Sequence, residues 1–264
     1  MSQKIYNITL LTPLLCHGAE KTAELRVPSI RGLLRIWHKI LWGQADVERC
    51  WGGLPPEKEP VPSKVVLRIL PENMKEADIL MLPHKKGPAI SKGYVAGEKF
   101  QLAISFRHLP EDEEQKKQII DRVEKTIKAW LLLGTCGQRG TRAFGSVWYD
   151  DFAISSIEDF SSAVNELFAE SSNPYAVQLY SGKEKKIELK DCTDTLGGNP
   201  ELFGSISPRR NSPLKMKYIK LGQEYYLVLH AQKHDIIDNA VSVLKEKNKP
   251  IGTKYKLLKK ITGC

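Results

Sequence analysis

Between Gly134 and Val147 the chain reads GTCGQRGTRAFGSV, with glycines at 134, 137, 140 and 145 interleaved with Arg139, Arg142 and Phe144. Glycine takes backbone angles closed to other residues and lets a phosphate or a base approach the main chain. Arginine adds a planar, permanently charged fork that suits phosphate, and Phe144 would offer a face for a base to stack on. The four glycines would set the loop's geometry, and the whole combination suits a polyanion. The plainer reading is a flexible connector with solvated arginines. A P-loop is excluded: Gly140 to Gly145 has the GxxxxG spacing, but Ser146 and Val147 follow where Lys and then Ser or Thr are required. The order here is also helix, loop, strand, the reverse of a P-loop.

Two further stretches carry clustered cations. In a helix expected over residues 30–42, Arg31, Arg35 and Lys39 recur four apart and share a face with His38. Leu33, Ile36, Trp37, Ile40 and Leu41 define the opposite, buried face, Ser29 suits the N-cap and Gly43 the C-terminal stop. Arg209 and Arg210 stand between Pro208 and Pro213, which hold their segment extended. These residues join Arg139, Arg142 and Phe144 as the expected nucleic-acid contacts.

Catalytic groups are sparse. His17, after the first expected strand, is the best candidate for a general acid or base, although a lone loop histidine is more often structural. Asp150 and Asp151 are adjacent on an expected strand and so point to opposite faces, and His230 and His234 straddle a strand end and a helix start. Five cysteines, at 16, 50, 136, 192 and 264, include no CxxC pair, which argues against a zinc ribbon or a disulfide scaffold. No metal and no cofactor are expected.

The elements that must position these groups follow from periodicity. Residues 4–15 read as a strand, 64–70 as a second, and 71–97 as a hairpin or projecting loop carrying Lys85, Lys86 and Lys92. Alternation of Phe100, Leu102, Ile104 and Phe106 marks a half-buried strand. Pro110 and the acidic run 111–114 open a long helix whose stripe Ile119, Ile120, Val123, Ile127, Trp130 and Leu131 leads into the glycine-rich loop, and 146–155 return as a strand. That order is the split βαβ, ferredoxin-like arrangement also used by RNA-recognition modules. Residues 156–264 read as a second, smaller unit: a helix over 157–171, a strand at 175–180, a strand pair at 214–220 and 224–231, a helix over 234–245 and a basic tail.

The chain has 264 residues, 41% of them hydrophobic, enough for a sizeable core. Forty Lys and Arg against 31 Asp and Glu give a net charge of +9 and a pI near 9.2, which favours nucleic acid or an anionic surface as partner. No signal-peptide pattern opens the sequence and no apolar run approaches 18 residues, so a soluble, cytoplasmic protein with no membrane partner is expected.

With these motifs in view, the sequence resembles the RAMP superfamily of CRISPR proteins, and within it the first-subunit family of type III-B (Cmr) effector complexes. Four pieces carry the resemblance in family order: TPLLCHG (Thr12 to Gly18), LRVPSIRGLLRIWHKILWG (Leu25 to Gly43), CWGG (Cys50 to Gly53) and the glycine-rich loop. Val27 replaces a proline of the family pattern, His38 a second aromatic and Ala143 a glycine. The match covers the first 150 residues well and the rest more loosely, mainly through SPRRNSPLKMK. The resemblance implies an α+β fold of tandem ferredoxin-like (RRM-like) domains, residues 1–155 and 156–264, with antiparallel sheets packed by helices. It further implies a non-catalytic subunit of an RNA-guided antiviral complex that holds guide RNA and target single-stranded RNA near the 3' end of the guide, among other Cmr subunits. The rival within the superfamily is a metal-independent endoribonuclease that trims guide precursors through His17.

Overall fold

The computed structural model of the chain describes residues 3–18, 22–54, 59–71, 73–83, 89–171, 173–181, 186–195, 199–205 and 207–263. Lys85, Lys86 and Cys264 lie outside the described residues. Two four-stranded antiparallel sheets organise the molecule. The first joins β1 (Lys4–Leu10), β2 (Val65–Pro71), β5 (Lys99–Phe106) and β6 (Val147–Tyr149) in the order β2-β5-β1-β6. The second joins β7 (Tyr175–Ser181), β8 (Lys215–Leu221), β9 (Glu224–Ala231) and β10 (Lys256–Gly263) in the order β10-β7-β9-β8. Each places its first strand beside its third and fourth, so the ferredoxin-like arrangement occurs twice. The residues 71–97 form a separate hairpin of β3 (Glu76–Leu80) and β4 (Ile90–Tyr94).

The strands arise where β-formers alternate. Tyr6, Ile8 and Leu10 face inward from β1 while Asn7 and Thr9 face outward, the two-residue period of a half-buried strand. Three helices, α1 (Val27–Trp42), α3 (Glu113–Leu133) and α4 (Ile157–Phe168), lie between the sheets. Their apolar stripes form one continuous core with the inner face of the first sheet (Ile8, Leu10, Phe100, Leu102) and one face of the second (Val177, Leu179, Val228, Ile261). Two short helices, α5 (Leu189–Thr193) and α6 (Pro200–Phe203), precede β8, and the other face of the second sheet is covered by α7 (His234–Glu246) through Ile237, Ala240 and Leu244. Asp112 caps α3 through the Gln115 amide, and Ser156 with Asp159 builds a capping box on α4.

Several expectations are corrected. β1 ends at Leu10, and Leu14 and Leu15 bridge instead to Tyr94 and Gln138, because this stretch is shared between the β3–β4 hairpin and the glycine-rich loop. α1 starts at Val27, and its N-cap position is Arg26, three residues before Ser29. Its buried face is Ile30, Leu34, Trp37, His38 and Leu41, while Ile36 is 55% exposed. β6 is short, and Asp150 and Asp151 lie in the turn beyond it, Asp150 accepting from Thr9 and Lys99. The basic tail holds a helical turn, α8 (Pro250–Thr253), and β10, which completes the second sheet.

His38 is buried because its ring closes a polar knot among three helices. Its Nε2 lies 2.9 Å from Asp46 Oδ2 on α2 (Gln44–Trp51), and its Nδ1 lies 2.8 Å from the Thr126 hydroxyl on α3. Asp46 Oδ1 receives Arg49 at 2.7 Å and Arg122 at 2.8 Å. Burial alone would raise the Asp46 carboxyl, but the His38 hydrogen bond and the two guanidinium charges hold it down at about 2. A carboxylate held below its unfolded value stabilises the fold above about pH 4 and loses that contribution as pH falls toward 2, roughly 2 kcal/mol in all. Asp46→Ala leaves His38, Cys50, Arg49 and Arg122 without their shared acceptor, so thermal unfolding at neutral pH should show a loss of about 3–5 kcal/mol. Between pH 4 and 2 the variant should also lose about 2 kcal/mol less stability than the wild type.

Candidate nucleic-acid interface

The glycine-rich loop is a folded object. α3 ends against the second sheet, where its last carbonyls are out of reach of water, and a helix end left that way is costly. Lys217, on β8 and 0% exposed, supplies the cap: its Nζ donates to the Leu131 carbonyl at 2.5 Å and approaches that of Trp130 at 3.5 Å. His230 on β9 bonds the Leu133 backbone and meets the Tyr175 hydroxyl at 2.7 Å. Burial pushes both basic groups well below their ordinary ranges.

Beyond that end the chain doubles back on itself. Thr135 bridges Ser146, and the Cys136 amide donates to Gly145. The Thr12–Leu15 stretch threads through the loop's base. The Thr12 hydroxyl donates to the Ala143 carbonyl at 2.6 Å and accepts from the Ser146 amide at 2.9 Å, while Gly145 donates to Pro13 and Gln138 to Leu15. Gly137 and Gly145 take φ of +75° and +60°, and a Cβ on either would collide with a carbonyl, that of Leu15 or Cys136. Gly134 and Gly140 are pressed against Trp130 and Thr135. The glycines therefore let two pieces of main chain touch.

The arginines divide by role. Arg142, 9% exposed, donates to the Phe203 carbonyl at 2.8 Å, the Ser212 hydroxyl at 3.3 Å and the Thr141 carbonyl at 3.0 Å, with its guanidinium over the Phe203 ring. Burial lowers it to about 10, still charged at neutral pH. Phe144 is fully buried with Leu15 and Ile79, so no ring face is open to a base. Arg31 donates to the carbonyls of Trp51 and Val65, and Arg35 to those of Trp51 and Gly52. On the expected cationic face of α1 the two arginines therefore tie the Trp51–Gly52 corner to the helix while staying partly exposed, and Lys39 is exposed. Of these expected contact residues, Arg142 and Phe144 are buried, whereas Arg31 and Arg35 spend donors on carbonyls and stay partly exposed.

Arg139 is the exception within the loop. It sits at φ +56°, half-buried, and its guanidinium has no partner among the described residues. Around it gather groups from other elements. His17 lies 3.4 Å from the Gln138 amide through Nδ1, and its Nε2 meets the Lys92 carbonyl at 2.9 Å and the Ser91 hydroxyl at 2.7 Å. Nε2–H donating to Lys92 leaves Nδ1 to accept from Gln138, so both ring nitrogens are engaged. Arg209 and Arg210 are exposed in a turn closed by the Ser205–Arg210 bridge, and Arg142 ties the flanks of that turn, Phe203 and Ser212, to the loop. Arg142 thus ties the loop that carries Arg139 to the flanks of the Arg209–Arg210 turn. Arg31 and Arg35 make their bonds elsewhere.

Lys217 was legible only as a lysine inside an apolar strand, and the His38–Asp46–Cys50 group, split across a helix corner, gave no sequence signal. Those three buried side chains bring possible ligand atoms within 4.8 Å of one another. Arg49 and Arg122 already occupy the carboxylate, and burial pushes the Cys50 thiol up to about 12, so the group has the charge of an ion-pair knot and not of a cation site.

Arg142→Ala would orphan two buried acceptors and uncouple the loop from the 203–212 turn, a loss of about 2–3 kcal/mol measurable by denaturant unfolding. Arg142→Lys should recover less than half, because a single ammonium cannot reproduce the fork.

Comparisons with known proteins bear on this arrangement. No curated protein matches the sequence. Among solved structures, Cmr1 from Pyrococcus furiosus, in its apo form, superposes with a TM-score of 0.59 at 17% identity, covering 88% of each chain. A chain of the type III-B Cmr-beta complex bound to cognate target RNA and AMPPnP gives 0.55 at 12% identity over 91% of this chain and 99% of that one. A chain of the same kind of complex bound to cognate target RNA gives 0.52 at 13% identity over 86% and 94%. These likenesses establish a shared fold. The RAMP superfamily profile matches residues 7–148, more than half of the sequence and the whole path from β1 through the glycine-rich loop to β6, and the chain belongs to that superfamily.

Proposed function

We propose that this protein is a non-catalytic, RNA-binding subunit of a type III-B CRISPR effector complex, working in the cytoplasm and holding guide and target single-stranded RNA near the 3' end of the guide. Two ferredoxin-like units, residues 1–155 and 156–264, would flank the RNA-facing loop. Superfamily membership and the fold shared with Cmr subunits support the reading, as does the excess of basic residues. Among the described residues no helix is long and apolar enough to cross a membrane.

The observation that carries it is Arg139. A loop braced through Thr12, Cys136, Arg142 and Gly145 presents one half-buried guanidinium without a partner among the described residues, beside Gln138 in sequence. Side chains fixed in advance cost little entropy on binding. The RNA's pairing would supply sequence specificity, while the protein holds backbone and shape. Lys39 belongs to the same proposal as a separate exposed cation on α1.

Binding of a labelled single-stranded RNA, followed by fluorescence anisotropy across a salt series, tests this. Arg139→Ala should weaken binding about three- to tenfold and flatten the slope of log affinity against log salt by about 0.7, one phosphate contact on a single strand. Arg209→Ala with Arg210→Ala should have a smaller effect of the same sign. Unchanged affinity and slope in the Arg139 variant would sink the loop's role. The same RNA incubated in chelator should stay intact, and cleavage abolished by His17→Ala would replace this reading with the processing nuclease.

A further inference from the structure

The net charge of the chain is concentrated far from the glycine-rich loop in sequence. Residues 245–260 contain seven lysines and one glutamate, a net of +6 within a chain of net +9. The fold gathers them. α7 ends at Glu246, the chain turns through Asn248 at φ +52°, and α8 folds back so closely on the last turn of α7 that a Cβ at Gly252 would collide with the Lys245 amide. The Lys249 amide donates to the Leu244 carbonyl and that of Lys254 to Pro250, closing the corner before β10 departs along the sheet edge.

Among the described residues two of the seven lysines are paired, Lys249 with Asp194 at 2.8 Å and Lys260 with Asp238 at 2.8 Å. Lys245, Lys247, Lys254, Lys256 and Lys259 are exposed and have no ion-pair partner among the described residues. Elsewhere several lysines are matched, Lys4 by Glu124 and Lys92 by Asp78 on the exposed surface and the partly buried Lys125 and Lys128 by Glu170 and Glu166. A helix C-terminus favours nearby cations, and lysines on an edge strand discourage stray pairing, but each needs only one or two. Lys254 also feels the Asp191 carboxylate, and the four other charges, unmatched among the described residues, exceed both needs and repel one another.

We propose that the corner formed by the end of α7, α8 and the start of β10 is a second nucleic-acid contact, taking the phosphate backbone of a single strand without regard to sequence. The inference rests on the RNA-binding reading above and extends it to the second unit. Lysine ammonium groups act here as point charges on phosphate oxygens. The exposed ring faces and arginine forks that base recognition would need are missing from residues 245–260: Tyr255, their single aromatic residue, is buried against the Tyr218 hydroxyl, and they contain no arginine. The contact therefore follows the backbone.

The test uses the full chain and a labelled oligouridylate in a salt series. Lys245→Gln, Lys247→Gln, Lys254→Gln and Lys256→Gln together should weaken binding tenfold or more at about 0.1 M salt and flatten the salt slope by about 3, four contacts at about 0.7 each. The corresponding four Lys→Arg changes should bind like wild type, and since they alter the same positions they also control for folding. Lys75→Gln with Lys117→Gln, two exposed lysines elsewhere, should leave the slope within about 0.5 of wild type, separating this corner from net charge alone. A four-glutamine variant whose slope equals that of wild type overturns the inference, and if Arg139→Ala still weakens binding, the loop reading survives. The opposite pattern, sensitivity at the lysines and none at Arg139, keeps this corner and removes the loop.

Discussion

A helix that ends inside protein must find partners for its last carbonyls, and the C-terminus of α3 is such an end. Lys217 and His230 meet that need from the second sheet, at the cost of placing two basic groups where water cannot reach them. The arrangement ties the two halves together by chemistry that apolar packing cannot supply. It also sets the point from which the glycine-rich loop departs, so the loop's position relative to both sheets follows from where α3 stops.

The same logic governs the arginines. A guanidinium offers five donors in a fixed fork, which makes it the residue best able to satisfy several carbonyls at a chain reversal. Arg31 and Arg35 do this for the corner at Trp51–Gly52, and Arg142 for the 203–212 turn. Each reversal exposes carbonyls that neither a helix nor a sheet uses. A motif rich in arginine therefore divides its cations between holding the fold and facing outward, and burial decides which is which.

Layering gives these local events their reach. Helices α1, α3 and α4 are packed on both sides by sheet, so a shift at the loop base would be felt in both cores. Thr12, with one hydroxyl serving Ala143 and Ser146, and Ser146, whose own hydroxyl accepts from the Tyr218 amide of β8, make the loop a junction of β1, β6 and β8. Rigidity there matters for any extended, flexible ligand, because the protein side then loses little freedom on binding.

From the amino-acid order alone one could read the alternation of β1 and β5, the long stripe of α3, the basic balance, and a glycine-rich loop between helix and strand. These signals are local, set by period and by the backbone freedom of glycine. The ferredoxin-like order of the first half was legible for that reason, and the four family motifs extended it. What only the tertiary structure decided was which charges remain free. Arg139 and Arg142 stand three residues apart and are equivalent as sequence, yet one faces outward and the other is spent on Phe203. Phe144 could be a stacking platform or a core residue until Leu15 and Ile79 close around it. β10 escaped the pattern because an edge strand studded with lysines has little apolar alternation, and its pairing with β7 depends on residues some 80 positions away. Burial and partner choice are sums over distant contacts, and no local window of sequence contains them.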